Sequence, residues 1–141
     1  MSEANKPVPA IDEEHAECRV LTDILARIGD KWTVLVVGTL ARGARRYSEI
    51  RRQVDGISQR MLTLTLKGLE QDGLVKRTMF PTIPPRVDYE LTELGQKLTV
   101  VLRALYDFAI AHRPEMLAAR ARFAADRTDA TEGAQRSPEP R

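Results

Sequence analysis

GISQRMLTLTLKGLEQDGLVKR, residues 56–77, sets one helix between two Asp-Gly pairs and then runs directly into an extended segment. Asp55-Gly56 and Asp72-Gly73 are turn pairs, because aspartate hydrogen-bonds its own backbone and glycine accepts a positive φ. Ser58 suits an N-cap, its hydroxyl taking one of the amides that the first helical turn leaves unpaired. A helix from Ser58 to about Gln71 sorts its side chains by face. Leu62, Leu66 and Leu69 recur at spacings of four and three, with Met61 beside them, and form the side that buries. Arg60, Thr63, Lys67 and Gln71 recur on the opposite side, a stripe without an acid. Beyond the second turn, Val75, Arg77 and Met79 alternate with Lys76, Thr78 and Phe80, the period of a strand over Leu74–Phe80.

The flanking sequence completes the pattern. PTIPP, residues 81–85, cannot continue a sheet ladder, since proline has no N–H to donate. Arg86–Leu91 reads as the returning strand of a hairpin whose loop is Pro81 to Arg86. Upstream, Val20, Ile24 and Ile28, with Leu21 and Leu25, predict a helix from Glu14 to Ile28. Asp30 can cap a second, from Lys31 or Trp32 to about Leu40, whose WTVLVVGTL is apolar nearly all round and places Trp32 in the core. Arg42-Gly43 breaks the chain, and Tyr47, Ile50 and Val54 give a short helix over Arg46–Val54, with room for a very short strand near Arg45. Downstream, Thr92 or Glu93 opens a long helix ending near His112. Its stripe is Leu94, Leu98, Leu102, Leu105 and Ala109, widened by Val101 and Phe108. Pro114 then allows only a short helix, Glu115 to about Ala125.

A short helix, a tight turn and a longer capped helix form a helix-turn-helix, and the hairpin is its wing. The fold class is therefore mainly α: a winged helix-turn-helix with a small antiparallel β-hairpin and flanking dimerisation helices. Residues 1–12 read as a flexible arm, 13–112 as the domain with its dimerisation helices, 113–125 as a short C-terminal helix, and 126–141 as a disordered tail.

Charge distribution favours a polyanion as partner. From Arg42 to Arg86 there are ten Lys or Arg residues against four acids, while the rest of the 141-residue chain is net acidic. Arg can donate bidentately to guanine, Gln can pair with adenine, and a Thr methyl can touch thymine, so Arg60, Thr63 and Lys67 are candidate DNA contacts. Ser58 and Gln59 sit where the helix N-terminus can also meet a phosphate. Arg46, in the RGARR run of residues 42–46, suits a backbone clamp. Arg77 and Arg86 flank the proline-stiffened wing tip. The bland alternative for each is a solvated charge.

Other chemistries find little support. No Ser/His/acid set forms around His15 or His112, no Gly-rich loop follows a strand, and a single Cys excludes a Cys-based zinc cluster. The chain is not expected to be an enzyme or to hold a metal or cofactor. The acidic start has no apolar signal region and no run reaches membrane-spanning length, so no membrane partner and a cytoplasmic location are expected.

The segments IGDKWTVLVVGTL, RRYSEIRRQVDGISQRMLTLTLKGLEQDGLVKR and TMFPTIPPRVDYELTELG together resemble the HxlR-type winged helix-turn-helix transcriptional regulators over about residues 18 to 95. The resemblance implies a homodimer on a palindromic or near-palindromic double-stranded operator, held by the first and last helices. It also implies that Gln59, Arg60, Thr63 and Lys67 face the major groove, with Arg77 and Arg86 near the backbone. Members of that family often carry a cysteine just before the first core helix, which in some senses quinones, aldehydes or oxidants. Cys18, fourteen residues before Trp32, is the candidate sensor here, although Arg19 stands where the family often has proline. Two rival readings differ in signal or class. A small apolar or aromatic effector could sit between dimerisation helices, lined by Leu98, Leu102, Leu105 and Tyr106. A winged-helix face that has lost DNA could instead serve as a protein-interaction module.

Overall fold

The computed structural model of the chain describes residues 16–135. In chain order the elements are α1 (Ala16–Ile28), α2 (Lys31–Leu40), β1 (Arg45–Arg46), α3 (Tyr47–Gln53), α4 (Gln59–Gln71), β2 (Val75–Phe80), β3 (Arg86–Leu91) and α5 (Glu93–Gln135). The three strands form one antiparallel sheet in the order β1-β3-β2. The expected arm 1–12, His15 and residues 136–141 lie outside the described residues. The chain divides between Thr99 and Val100 into two units.

In the first unit the core lies where α2, α3, α4 and the base of the hairpin meet. α2 begins on Asp30, whose carboxylate accepts from Thr33 N at 3.2 Å, and it buries Thr33, Val36, Val37 and Leu40. Ile50 of α3 and Leu62, Leu66 and Leu69 of α4 are buried with them, joined by Val75 from the start of β2. Removing this aliphatic surface from water supplies the main favourable term, about 25 cal/mol per Å². Trp32 is a correction to the core expected from sequence. It sits half-buried in the first turn of α2, with Lys31 Nζ 4.2 Å from the ring centroid. A helix apolar on nearly every side still has one side turned to solvent, where Leu35 is exposed.

α5 is locked to the hairpin by its first turn. Thr92 accepts Gly95 N at 3.1 Å, donates its hydroxyl to Gly73 O at 2.6 Å, and sends its own amide to Leu74 O at 3.0 Å. Gly95 lies so near Leu74 that a Cβ there would run into the Leu74 carbonyl oxygen. The single threonine hydroxyl thus caps a helix and ties it to the α4–β2 junction.

The end of α5 overturns two expectations. The helix neither stops near His112 nor breaks at Pro114. It continues unbroken to Gln135, so there is no separate short helix after Pro114 and no disorder over 126–135. Proline removes one intrahelical hydrogen bond and costs about 3 kcal/mol. The sequence on either side, AIAHRPEMLAARARFAADR, is dense in Ala, Leu, Met, Arg and Glu, the residues that lose least on entering a helix. In the second unit this helix exposes Val101, Leu105, Tyr106, Phe108, Ile110, Met116, Leu117 and Phe123.

Candidate nucleic-acid interface

α3, the connecting residues 54–58 and α4 form the helix-turn-helix. Gly56 holds a positive φ of 79°, which lets the turn close. Ser58 accepts Met61 N at 3.1 Å, so the first amides of α4 are organised by the residue that sequence assigned to the cap. Ser58, Gln59, Arg60, Thr63 and Lys67 are all exposed, on the side of α4 away from its buried leucines.

Two contacts set the pose of α4, and sequence reasoning missed both. Tyr47, read from its spacing as a packing residue of α3, reaches across to α4. Its hydroxyl donates to the Gln59 carbonyl at 2.9 Å and lies 3.0 Å from Thr63 Oγ1. A phenol has one proton, so the second bond is donated by Thr63. The Thr63 hydroxyl is therefore engaged within the protein, and its methyl is the part left for a base. At the other end of α4, Arg27 of α1 donates from Nε to Asp72 at 3.2 Å. Its guanidinium crosses directly over Gly68, where a Cβ would collide with Cζ and Nη1. A tyrosine followed by a capped helix, or a glycine inside one, hints at such bracing, but the partners are far apart in sequence.

The hairpin register arranges the wing. β1 and β3 pair Arg45 with Tyr89 and Arg46 with Asp88, while β2 and β3 pair Arg77 with Tyr89 and Thr78 with Asp88. Arg45 and Arg77 thus flank Tyr89 in one row on one face of the sheet, and Arg46 belongs to the other face with Asp88. Arg46 and Arg77 are exposed. Arg86 is exposed too, but forks onto Asp88, with Nε to Oδ1 at 2.9 Å and Nη2 to Oδ2 at 2.8 Å, and its guanidinium lies 5.3 Å from the Phe80 ring centroid. The hydrogen-bonded pair raises the Arg86 pKa and holds the Asp88 carboxyl below its ordinary value. Arg86 is therefore a brace of the wing as well as a charge on it.

Cys18 is half-buried in α1, its carbonyl accepting the Thr22 hydroxyl at 2.7 Å. On the same helix Val20, Leu21, Ile24 and Leu25 are exposed. Among the described residues no group of three His, Cys, Asp or Glu could hold a metal, and no helix is long and apolar enough to cross a membrane.

A short helix, a capped exposed helix and a three-stranded wing define a winged helix-turn-helix protein. The profile of the HxlR-like helix-turn-helix proteins matches residues 27–116. The chain is 39% identical over 98 residues to the HTH-type transcriptional regulator YtfH of Escherichia coli (strain K12), itself uncharacterized, a match spanning 70% of this chain and 78% of that protein. The solved structure of YtfH from Salmonella typhimurium superposes with a TM-score of 0.70 at 34% identity, covering 79% of this chain and 99% of that one. The redox regulator HypR in its oxidized form gives 0.60 at 36% identity, covering 65% of this chain and 95% of its own. The chain belongs to the HxlR-like helix-turn-helix family and is a DNA-binding transcriptional regulator of winged helix-turn-helix design.

Proposed function

We propose that the chain acts in the cytoplasm as a homodimer that reads a palindromic double-stranded operator, α4 entering the major groove and the wing lying along the flanking backbone. The observation that carries this reading is the acid-free, exposed stripe of a helix whose first turn is capped by Ser58 and braced by Tyr47. Arg60 and Lys67 would meet base edges or phosphates, Gln59 and the Thr63 methyl would meet bases, and the Ser58 end would meet a phosphate. Arg46 and Arg77 are assigned to the backbone. Arg86 joins them through the nitrogen that its fork leaves outside the pair with Asp88.

The homodimer is supported by uncovered apolar surface. α1 and the part of α5 in the second unit each expose several large hydrophobic residues, the kind of surface that a second copy would cover. A helix-turn-helix dimer on a palindrome needs its two recognition helices about one DNA turn, roughly 34 Å, apart. Selection from a pool of randomised duplexes tests the reading: the expected result is an enriched inverted repeat with that spacing, and a pool from which nothing is enriched contradicts it.

For the signal, a half-buried Cys18 and the likeness to a protein described as a redox regulator favour release from the operator by oxidant or electrophile modification. One cysteine per chain leaves an intersubunit disulfide, a mixed disulfide with a small thiol, or alkylation. Cys18→Ser is expected to bind the operator normally and to ignore a quinone or mild oxidant. Unchanged release of that variant would contradict this and favour a small aromatic or apolar effector.

A further inference from the structure

Ile83 stands at the tip of the wing with a relative exposure of 102%, an aliphatic side chain that buries nothing among the described residues. We propose that Ile83 is an apolar wedge that enters the minor groove of the operator, unstacking a base step and bending the duplex. This rests on the DNA-binding reading above and assigns to the wing a reading role beyond its charges.

Three features of the tip support it. The first is rigidity. Pro81, Pro84 and Pro85 fix the backbone on both sides of Ile83, Thr82 N donates to Phe80 O at 2.8 Å, and the Thr82 hydroxyl donates to Pro84 O at 2.9 Å. Arg86 closes the mouth of the loop, stacked near Phe80 and forked onto Asp88. A backbone held this way loses little freedom on docking, and the β-branched isoleucine side chain it carries is itself stiff at χ1. The second is chemistry: from Arg77 to Arg86 there is no acid, so an apolar point is carried between two cationic residues suited to the phosphates that rim a groove. The third is size. Paired strands lie about 4.8 Å apart before their side chains are added, and the minor groove of B-DNA is about 6 Å wide. The hairpin body cannot enter such a groove, whereas one projecting aliphatic side chain can. Inserted apolar side chains kink duplexes, most easily at flexible pyrimidine–purine steps.

The test uses the full chain and the 30-bp duplex that the wild-type protein itself enriches from randomised DNA. Energy transfer between dyes on the two duplex ends reports bending, and 2-aminopurine placed in turn at each adenine reports unstacking. Wild type should bend the duplex and brighten one probe per half-site. Ile83→Ser should keep its melting temperature, lose both signals and bind about a hundredfold more weakly, since a dimer buries two such side chains, each worth about tenfold. Ile83→Leu should retain all three. If Ile83→Ser bends and binds as wild type does, the wedge is wrong while DNA reading stands. If it shifts the sedimentation of the free protein instead, Ile83 serves contact between copies and the wedge is again wrong. A pool that yields no enriched duplex refutes the DNA-binding reading and takes the wedge with it.

Discussion

Tyr47 gives its one phenolic proton to the Gln59 carbonyl and accepts a second hydrogen bond from Thr63, so a residue outside the recognition helix decides how that helix begins. Tyr47→Phe keeps the ring and removes both bonds. Each such bond is worth about 1 kcal/mol. The variant should unfold at a temperature lower by a few degrees and bind its operator about three- to tenfold more weakly. Thermal unfolding and anisotropy check the two effects; unchanged operator affinity would show that the brace does not matter to DNA. Arg27 over Gly68 is a weaker restraint, because both members of its pair with Asp72 are more than one-third exposed and an ion pair in water contributes little. These contacts were not legible in sequence. Tyr47 and Thr63 are sixteen residues apart and Arg27 and Asp72 forty-five apart, and periodicity within one element carries no information about either.

At the level of elements, the junction of α4, β2 and α5 is tightly specified by the Thr92 hydrogen bonds and the close approach of Gly95 to Leu74. Gly95→Ala would drive a Cβ into the Leu74 carbonyl oxygen, a backbone atom that cannot rotate away. Overpacking of this kind costs about 1–3 kcal/mol, and a melting temperature equal to wild type would contradict the close approach. The helix-turn-helix and hairpin were readable because local rules agreed there: Ser58 capped, Asp-Gly turned, and the strand alternated. The strands begin and end within a residue of their expected limits, and the anticipated short strand near Arg45 is β1. The far end of α5 is not legible in sequence because two local signals conflict. Pro114 argues for a break, the Ala- and Arg-rich sequence around it argues for helix, and helix prevails. The acid-free stripe of α4 was visible from spacing alone. The pairing of Arg86 with Asp88 was not singled out, although two residues apart on one strand share a face.

Across the whole molecule, apolar residues left uncovered on α1 and α5 are the feature that a single copy does not explain. Leu98 and Leu102 of the expected stripe are buried, whereas Leu94, Leu105 and Phe108 are exposed, so the stripe has more surface than the described residues cover. Leu105→Arg is expected to convert a dimer to a monomer in sedimentation at micromolar concentration and to lower operator affinity. A variant that sediments as wild type would move the contact elsewhere on the surface. The proposed attraction to DNA is assigned to the basic excess between Arg42 and Arg86, and discrimination to α4 and the wing tip.

Operator reading requires that this chain distinguish one DNA sequence from another. Fluorescence anisotropy with the enriched duplex and a scrambled duplex of the same composition, repeated at several salt concentrations, tests it most directly. The enriched duplex should bind at least about a hundredfold more tightly, with both affinities falling as salt rises. Equal binding to the two duplexes at every salt concentration would contradict it.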